Sequence, residues 1–261
     1  MRTINIHIPT KWKELTGRQL KHIATLFNLQ CVENEFLAYA FIYLSGLKVA
    51  SPEMKYDYES NIGLQWFKYK KQKPFILNTQ QIAEHLYSVK WLLKLDETNP
   101  VKWIRGHKVC NPRLYGVKLR QYLTIENFYQ AYTHTNQDIY LDMLIASLYT
   151  RPWEKFKDKK VKKRAKRFKS LNKDTKTTVY LFTVGLRIFL KKEYPNLFEE
   201  GSSDNSVPDM KAQFKNIMRA LNKGDVTQND TILYSETHEA LSELDALKYE
   251  INEQKKKNKN V

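Results

Sequence analysis

Apolar residues along this chain recur mostly at the three- and four-residue spacing of an α-helix. The first such stretch covers 20–27, and a second covers 36–44 and stops before Gly46. Ahead of the first stretch, Thr16 is followed three residues later by Gln19, which is the pattern of a capping box. The spacing therefore predicts two helices that pack against each other as a hairpin.

Further helix starts are marked by residues that favour the N-cap position. Asn78, with Gln81 three residues later, predicts one start, and Thr124 and Ser206 predict two more. Additional helices are predicted from the spacing of apolar residues over 138–149, over 177–194 and from about residue 235. Most of the chain is thus expected to be helical.

Strand signals are fewer. Ile4, Ile6 and Ile8 alternate with polar residues and predict a short strand. Residues 65–77 hold two aromatic or β-branched runs around a polar turn and predict a hairpin, whereas 101–116 has no clear period and is interpreted as a loop. The predicted fold class is mainly α, with helical hairpins, a minor N-terminal β element and a small helical C-terminal unit.

Charge divides the chain into unlike parts. Residues 151–176 hold thirteen Lys or Arg against three acids, a net +10 of the formal +16, and from 199 to 253 twelve acids outnumber five Lys or Arg. We predict a mainly helical domain with short β elements over 1–150, a basic connector over 151–176, a helical C-terminal unit over 177–253 and a Lys-rich tail over 254–261.

The basic stretch has three interpretations: a solvated connector, a nucleic-acid-binding segment, or a contact for an acidic protein surface. The connector is the commonest use of such a segment. Trp153, Phe156 and Phe168 are interleaved with the cations, so the stretch could also neutralise phosphates and stack on bases. The candidate polyanion-binding residues are Lys159, Lys160, Lys162, Lys163, Arg164, Lys166, Arg167 and Lys169.

The composition is that of a folded protein with no membrane span. Hydrophobic residues make up 42%, and Gly and Pro number only 8 each. The most apolar run, 179–190, contains Arg187 and has about half the length that a span requires. Cys31 and Cys110 could form one disulfide but are too few for a framework, and two free thiols in a reducing compartment are the favoured interpretation. No secretory signal is recognisable at the start of the sequence.

No motif indicates an enzyme. The six histidines lie in different predicted elements, and no phosphate-binding, nucleophile-elbow or metalloprotease motif is present. His107 and Cys110 have the spacing of half a zinc site, but only Cys31 remains as a second thiol. Acid pairs such as Glu239 and Glu243 fit a solvated helix face. We therefore expect no catalytic residue, no cofactor and no metal site.

The C-terminal unit contains a second candidate surface. Phe214, Ile217, Met218 and Leu221 recur with helical periodicity. Such a stripe more often fills a core than binds another protein, so partner binding is the alternative interpretation of these four residues.

Three segments resemble proteins of tailed phages. The opening HIPTKWKELTGRQL resembles the start of many small proteins encoded among virion-structure and tail genes. The segment ALNKGDVTQNDTILYSETHEALSELDALKYE is similar to the C-terminal part of uncharacterised proteins in phages and prophages of Bacteroidetes, often described as tail assembly chaperone-like. In those proteins a turn joins two short helices, and here the turn is Gly224 to Thr227. The central LTIENFYQAYTHTNQDIYLDMLIASLY resembles their paired helices.

This resemblance implies a non-enzymatic assembly protein in the host bacterial cytoplasm. It would hold phage structural proteins, such as tail or head-to-tail subunits, until they polymerise. Two alternatives remain open: a structural head-to-tail or tail component of the virion, and a basic phage protein that binds nucleic acid through residues 151–176.

Overall fold

The computed structural model describes residues 6–51, 55–57, 62–198 and 210–259, and this part of the chain is mainly helical. The chain forms two compact units, of which the first comprises 1–99 with 173–181 and the second comprises 100–172 with 182–261. Among the helices described, none combines the length and the apolar character needed to cross a membrane.

Two packed helices open the first unit: α1, Gly17–Leu29, and α2, Glu33–Ser45. The Thr16 hydroxyl accepts a hydrogen bond from the Gln19 amide, and the Gln19 side chain accepts one from the Thr16 amide. The predicted capping box and helical hairpin are therefore confirmed. α2 ends at Gly46, whose φ of 72° suits glycine.

A small antiparallel sheet follows. Its strands are β1 Leu47–Val49, β2 Lys55–Asp57, β3 Ile62–Tyr69 and β4 Phe75–Asn78, and β3 pairs with each of the other three. The β3–β4 pair confirms the hairpin predicted over 65–77. Asn78 then forms a capping box with Gln81 at the start of α3, Thr79–Leu86, which runs into a 3-10 helix over Tyr87–Leu93.

The core of the first unit is rich in aromatic rings. The Trp12 indole packs edge-on against Trp91, with ring centroids 5.9 Å apart, and stacks with Phe27 at 6.4 Å. Its N–H donates to the Lys94 carbonyl at 2.8 Å, which satisfies the polar edge of a buried ring. From β3, the fully buried Phe67 joins the same core.

The second unit contains a small sheet and most of the helices. Strands β5 Trp103–Ile104, β6 His107–Val109 and β7 Tyr149–Thr150 pair antiparallel in the order β5-β6-β7. The helices are α4 Leu119–Thr135, α5 Asp138–Leu148, α6 Val161–Phe168, α7 Lys173–Glu193 (residues 182–193 in this unit), α8 Met210–Asn222, α9 Asn229–Leu233 and α10 Thr237–Lys259.

Helix α5 lies at the centre of the second unit. It packs against both α4 and α6, and its Leu144, Ile145 and Leu148 are completely buried. An ion pair between Glu126 of α4 and Arg187 of α7 adds a polar link to this apolar packing.

The structure differs from two of the predictions about strands. Ile6 and Ile8 lie outside any strand and pack as partly buried residues against the first core, while Ile4 lies outside the described residues. The loop predicted over 101–116 contains the β5–β6 hairpin. In its turn, Arg105 and Gly106 have left-handed backbone conformations. Strands as short as β5 and β6 show no alternation of apolar and polar residues that would predict them.

Thr124 is not a helix cap. Its hydroxyl lies in the middle of α4 and donates to the Arg120 carbonyl at 2.8 Å. The start of α4 is fixed instead by backbone pairing with the segment before α10: the Leu119 amide donates to the Ser235 carbonyl at 3.1 Å, and the Thr237 amide donates to the Val117 carbonyl at 2.9 Å. The predicted cap Ser206 lies outside the described residues.

The compact units also have other bounds than the predicted domains. The first unit comprises 1–99 with 173–181, whereas the predicted domain covers 1–150. The stretch predicted as a connector, 151–176, contains α6, which is part of the second unit. The reason is that α6 has an apolar face to bury. The predicted tail over 254–261 is largely a continuation of α10.

Candidate polyanion-binding groove

Helix α6 is anchored to its unit through one face and one end. Val161, Ala165 and Phe168 are buried at positions i, i+4 and i+7, and the helix packs against α5. At its C-terminal end, the Arg105 guanidinium donates to the Ser170 carbonyl at 3.0 Å. The basic face of α6 is therefore held in a defined position.

A groove of about 510 Å³ opens beside this face. It is formed by α6, by the turn that follows β7 and by a side chain from β6. Five cations against one acid give it a formal charge of +4. The lining residues are His107, Arg151, Pro152, Trp153, Glu154, Lys160, Lys163, Arg164 and Arg167.

Arg164 is the unusual residue of this groove, because it is only 5% exposed. Its Nε donates to the Ala146 carbonyl at 2.8 Å, and its Nη1 lies 3.5 Å from a Glu154 carboxylate oxygen. In the part of the chain that the structure describes, neither Nη1 nor Nη2 has a hydrogen-bond partner. Burial lowers the pKa of Arg164 from its usual value. Both atoms are also closed to solvent, so an anion reaches them only when a neighbouring side chain moves, and its oxygen atoms would then satisfy these donors.

The one carboxylate of the groove is itself held by cations. Lys160 Nζ lies 2.9 Å from Glu154 Oε1. This hydrogen bond, helped by the charge of Arg164 and opposed by burial, holds the pKa of Glu154 below its usual range. Glu154 is thus ionised at neutral pH and competes with an external anion for Arg164.

Trp153 projects from the groove into solvent. Its exposure, 102%, is that of an isolated side chain, and its φ of 70° lies in the left-handed region, which bulky residues rarely adopt. Phe156 instead lies near Arg164, with 5.9 Å from guanidinium to ring centroid, and Phe168 is buried against His107. Of the three aromatic residues that the sequence interleaves with the cations, Trp153 presents its ring for stacking.

The structure separates the eight predicted polyanion-binding residues into two groups. Lys160, Lys163, Arg164 and Arg167 line the groove. Lys159, Lys162, Lys166 and Lys169 are exposed but do not line it. The helical spacing i, i+3, i+4, i+7 could have separated the first group.

Among the basic residues and histidines that line the groove, sequence reasoning missed two, Arg151 and His107. Arg151 lies in the basic stretch but was not singled out from its other cations. His107 comes from β6, and nothing in its local sequence indicates that it lies beside α6, because a long-range strand pairing places it there.

The four predicted partner-binding residues also separate. Phe214 is 43% exposed and lines a second pocket of about 480 Å³ together with the partly exposed Ile217. Met218 is 6% exposed and belongs to the core, and Leu221 is half-buried. Half of the stripe therefore faces a cavity, and Met218 fills the interior.

Charged groups in this second pocket have partners within the fold. Arg120 Nη2 lies 2.5 Å from Asp158 Oδ2. Although burial opposes it, this hydrogen bond holds the pKa of Asp158 below its usual value. Glu126 is paired with Arg187. The pocket thus offers an apolar wall with paired charges around it.

No metal-binding group of three or more His, Cys, Asp or Glu side chains occurs among the described residues. Cys31 and Cys110 are free, and burial raises the pKa of the Cys110 thiol to about 12, so it is protonated at neutral pH. His107 donates from Nδ1 to the Arg105 carbonyl at 2.9 Å.

In comparisons with known proteins, no family model, no curated protein and no solved structure matches this chain. The resemblance to tail assembly chaperone-like proteins therefore stays a prediction, and function has to be inferred from the groove and the second pocket.

Proposed function

We propose that this protein binds nucleic acid through the groove beside α6, by contacts to the phosphate backbone. The observation that carries this proposal is the buried Arg164, with two nitrogen atoms that lack hydrogen-bond partners in the described residues, in a groove of formal charge +4. A guanidinium presents a planar fork of donors that matches two phosphate oxygens.

The arrangement of the other cations favours a chain of phosphates over a single one. Lys160 directly precedes α6 and Arg167 lies near its end, and at the rise of an α-helix these seven residues correspond to about 10 Å. Lys163 lies between them, and Arg151 contributes from the turn on the other side. A backbone that passes along this face could meet several cations in succession.

Binding of this kind depends strongly on salt. Each phosphate neutralised by a cation releases condensed counterions, so log K falls with log salt by about 0.7 per contact for single strands and about 0.9 for duplex. Flexible lysines supply charge but no fixed base readout, so we expect little sequence preference.

The test compares two pairs of cations on the same helix. Lys163→Gln with Arg167→Gln removes two charges from the groove, and Lys162→Gln with Lys166→Gln removes two from the exposed face outside it. We expect the groove variant to reduce the salt slope by about 1.4 for single strands, twice the change per contact. Fluorescence anisotropy over a salt series measures both affinity and slope.

The matched variant is the control for net charge, because both double substitutions change the formal charge equally. If the two variants weaken binding to the same extent, charge acts diffusely and the groove is not the site. If the unaltered protein shows no salt-dependent binding, the proposal fails.

A second function, the assembly role implied by the phage resemblance, has one observation in its favour. Phe214, one of the residues predicted to meet a partner, is well exposed and lines an apolar-walled pocket. We propose as this second function that Phe214 and Ile217 contact a phage structural subunit. Burial of one such side chain contributes about 1.5–3 kcal/mol.

Co-expression with the structural proteins encoded beside it tests this role. Phe214→Asp should leave the client insoluble, whereas Ile251→Asp, a comparable substitution at a residue 47% exposed on α10, should not. Met218 is unsuitable for this test because it is buried. If every neighbouring structural protein is equally soluble with and without this chain, the chaperone role is excluded and a structural component of the virion becomes the better hypothesis.

A further inference from the structure

The turn that contains Trp153 is held by hydrogen bonds and leaves the indole ring of Trp153 in solvent. The Glu154 amide donates to the Arg151 carbonyl at 3.0 Å, which closes the turn. The Glu154 side chain is then anchored by Lys160 at 2.9 Å. Within this turn, Trp153 has a left-handed backbone conformation and a completely exposed ring. The ring adds nothing to the core, so the stability of the fold gives no reason for a tryptophan there.

The residues beside the Trp153 ring indicate which class of ligand it contacts. Trp153 lines the same groove as Arg164, Lys163 and Arg167. A flat aromatic face beside several cations is the combination that binds single-stranded nucleic acid, in which phosphates meet the cations and a base stacks on the ring. Because every base has a π-face, such stacking tolerates any sequence.

Duplex nucleic acid cannot use this ring in the same way. Its internal bases are already stacked on one another, so their faces are closed to a protein side chain unless a base is extruded at a cost. The cations of the groove would still meet duplex phosphates. The contribution of Trp153 therefore distinguishes single strands from duplex, while the charge of the groove does not.

We infer that the groove is a single-strand site, in which one base stacks on Trp153 while the adjacent phosphate binds the Nη atoms of Arg164. This inference rests on the function proposed above and names its ligand class. It assigns the two residues separate roles: Arg164 contributes to affinity for any polyanion, and Trp153 contributes to the preference for unpaired bases.

The experiment measures affinity of the full chain for three probes: an oligothymidylate of about 12 nucleotides, within the range that one module covers, a duplex with the same number of phosphates, and heparin. Trp153→Ala should weaken binding of the oligothymidylate about tenfold and leave the other two affinities unchanged. Trp153→Phe, which keeps a ring, should recover most of the loss. Trp103→Ala is the matched control, because Trp103 is exposed but does not line the groove.

The outcomes separate this inference from the proposed function. An equal loss for oligothymidylate and duplex, or no loss for either, would overturn the stacking role while leaving the groove as a polyanion site. Absence of salt-dependent binding by the unaltered protein to all three probes would overturn both. A loss confined to the oligothymidylate, restored by phenylalanine, supports the single-strand site.

Discussion

Two arginines of the second unit, Arg187 and Arg164, have unlike surroundings. Arg187 is ion-paired with Glu126, and its guanidinium lies 4.6 Å from the centre of the Tyr129 ring. Although burial lowers it, the charge of Glu126 raises the pKa of Arg187 above its usual value. Arg164 is more deeply buried, its closest carboxylate oxygen is 3.5 Å away, and burial lowers its pKa.

This difference separates a structural cation from one that suits a ligand. A buried charge with a close counter-charge holds elements of the fold together, since removal of one partner leaves the other uncompensated. A buried charge with unused donors instead has hydrogen bonds left to offer. The sign of the pKa shift follows from the same contacts, and it distinguishes the two arginines.

The largest effect on stability is expected at the paired arginine. Arg187→Met leaves Glu126 with no cation at its carboxylate and should cost about 2 kcal/mol, less than the 3–5 kcal/mol of a fully buried pair because a third of the Arg187 side chain is exposed. Urea denaturation measures this loss. Binding of nucleic acid should not change. Adding Glu126→Gln to this variant removes the uncompensated charge and should recover part of the loss.

At Arg164 we expect a large effect on binding and a small effect on stability. Arg164→Met should weaken binding of single strands about thirtyfold, or about 2 kcal/mol, because hydrogen bonds to a charged group are lost. The free energy of unfolding should change by less than about 1 kcal/mol, because the gain from removing a desolvated cation offsets the loss of the Nε hydrogen bond to the Ala146 carbonyl. Equal effects of Arg164→Met and Arg187→Met on stability would contradict the distinction between them.

A smaller gain in affinity is expected from the carboxylate of the groove. Glu154→Gln removes the internal competitor for Lys160 and Arg164, so binding of single strands should strengthen about fivefold, or about 1 kcal/mol. The slope of log K against log salt should become steeper by about 0.7. Unchanged affinity at low salt would indicate that an external phosphate does not reach these cations.

The smallest effect concerns pH and stability. Because the pKa of Glu154 is lowered in the folded protein, its contribution is present above the unfolded value, about 4.3, and is lost as pH falls through the folded value. The unaltered protein should therefore lose more stability than Glu154→Gln between about pH 6 and pH 3. Parallel urea titrations at several pH values measure the difference. Superimposable pH profiles would mean that the ion pairs of Glu154 do not form.

Local sequence was enough to determine several elements. The capping boxes at Thr16 and Asn78 are confirmed because each requires only a partner three residues away. Periodicity likewise predicts the mainly helical fold, and Gly46 marks the end of α2 because its left-handed backbone is a local requirement. The charge of the basic stretch is also a property of sequence alone.

Contacts between residues that are distant in sequence determine the elements that the local pattern did not predict. Helix α4 begins before Thr124 because the segment at Ser235 supplies the acceptor for its first amide. The short β5–β6 hairpin is stabilised by the pairing of β6 with β7, which lies some forty residues later in the chain. Neither partner is visible within a window of local sequence.

The groove likewise has some properties that the sequence determines and others that only the tertiary structure determines. Sequence by itself determined that residues 151–176 are strongly basic and contain three aromatic residues. Only the tertiary structure decided that Phe168 is buried, that Trp153 is exposed and that Arg164 lies beneath the groove with unused donors. The physical reason is that α6 must bury its apolar face against α5. That packing turns four of the eight predicted cations toward one groove and leaves the other four in solvent.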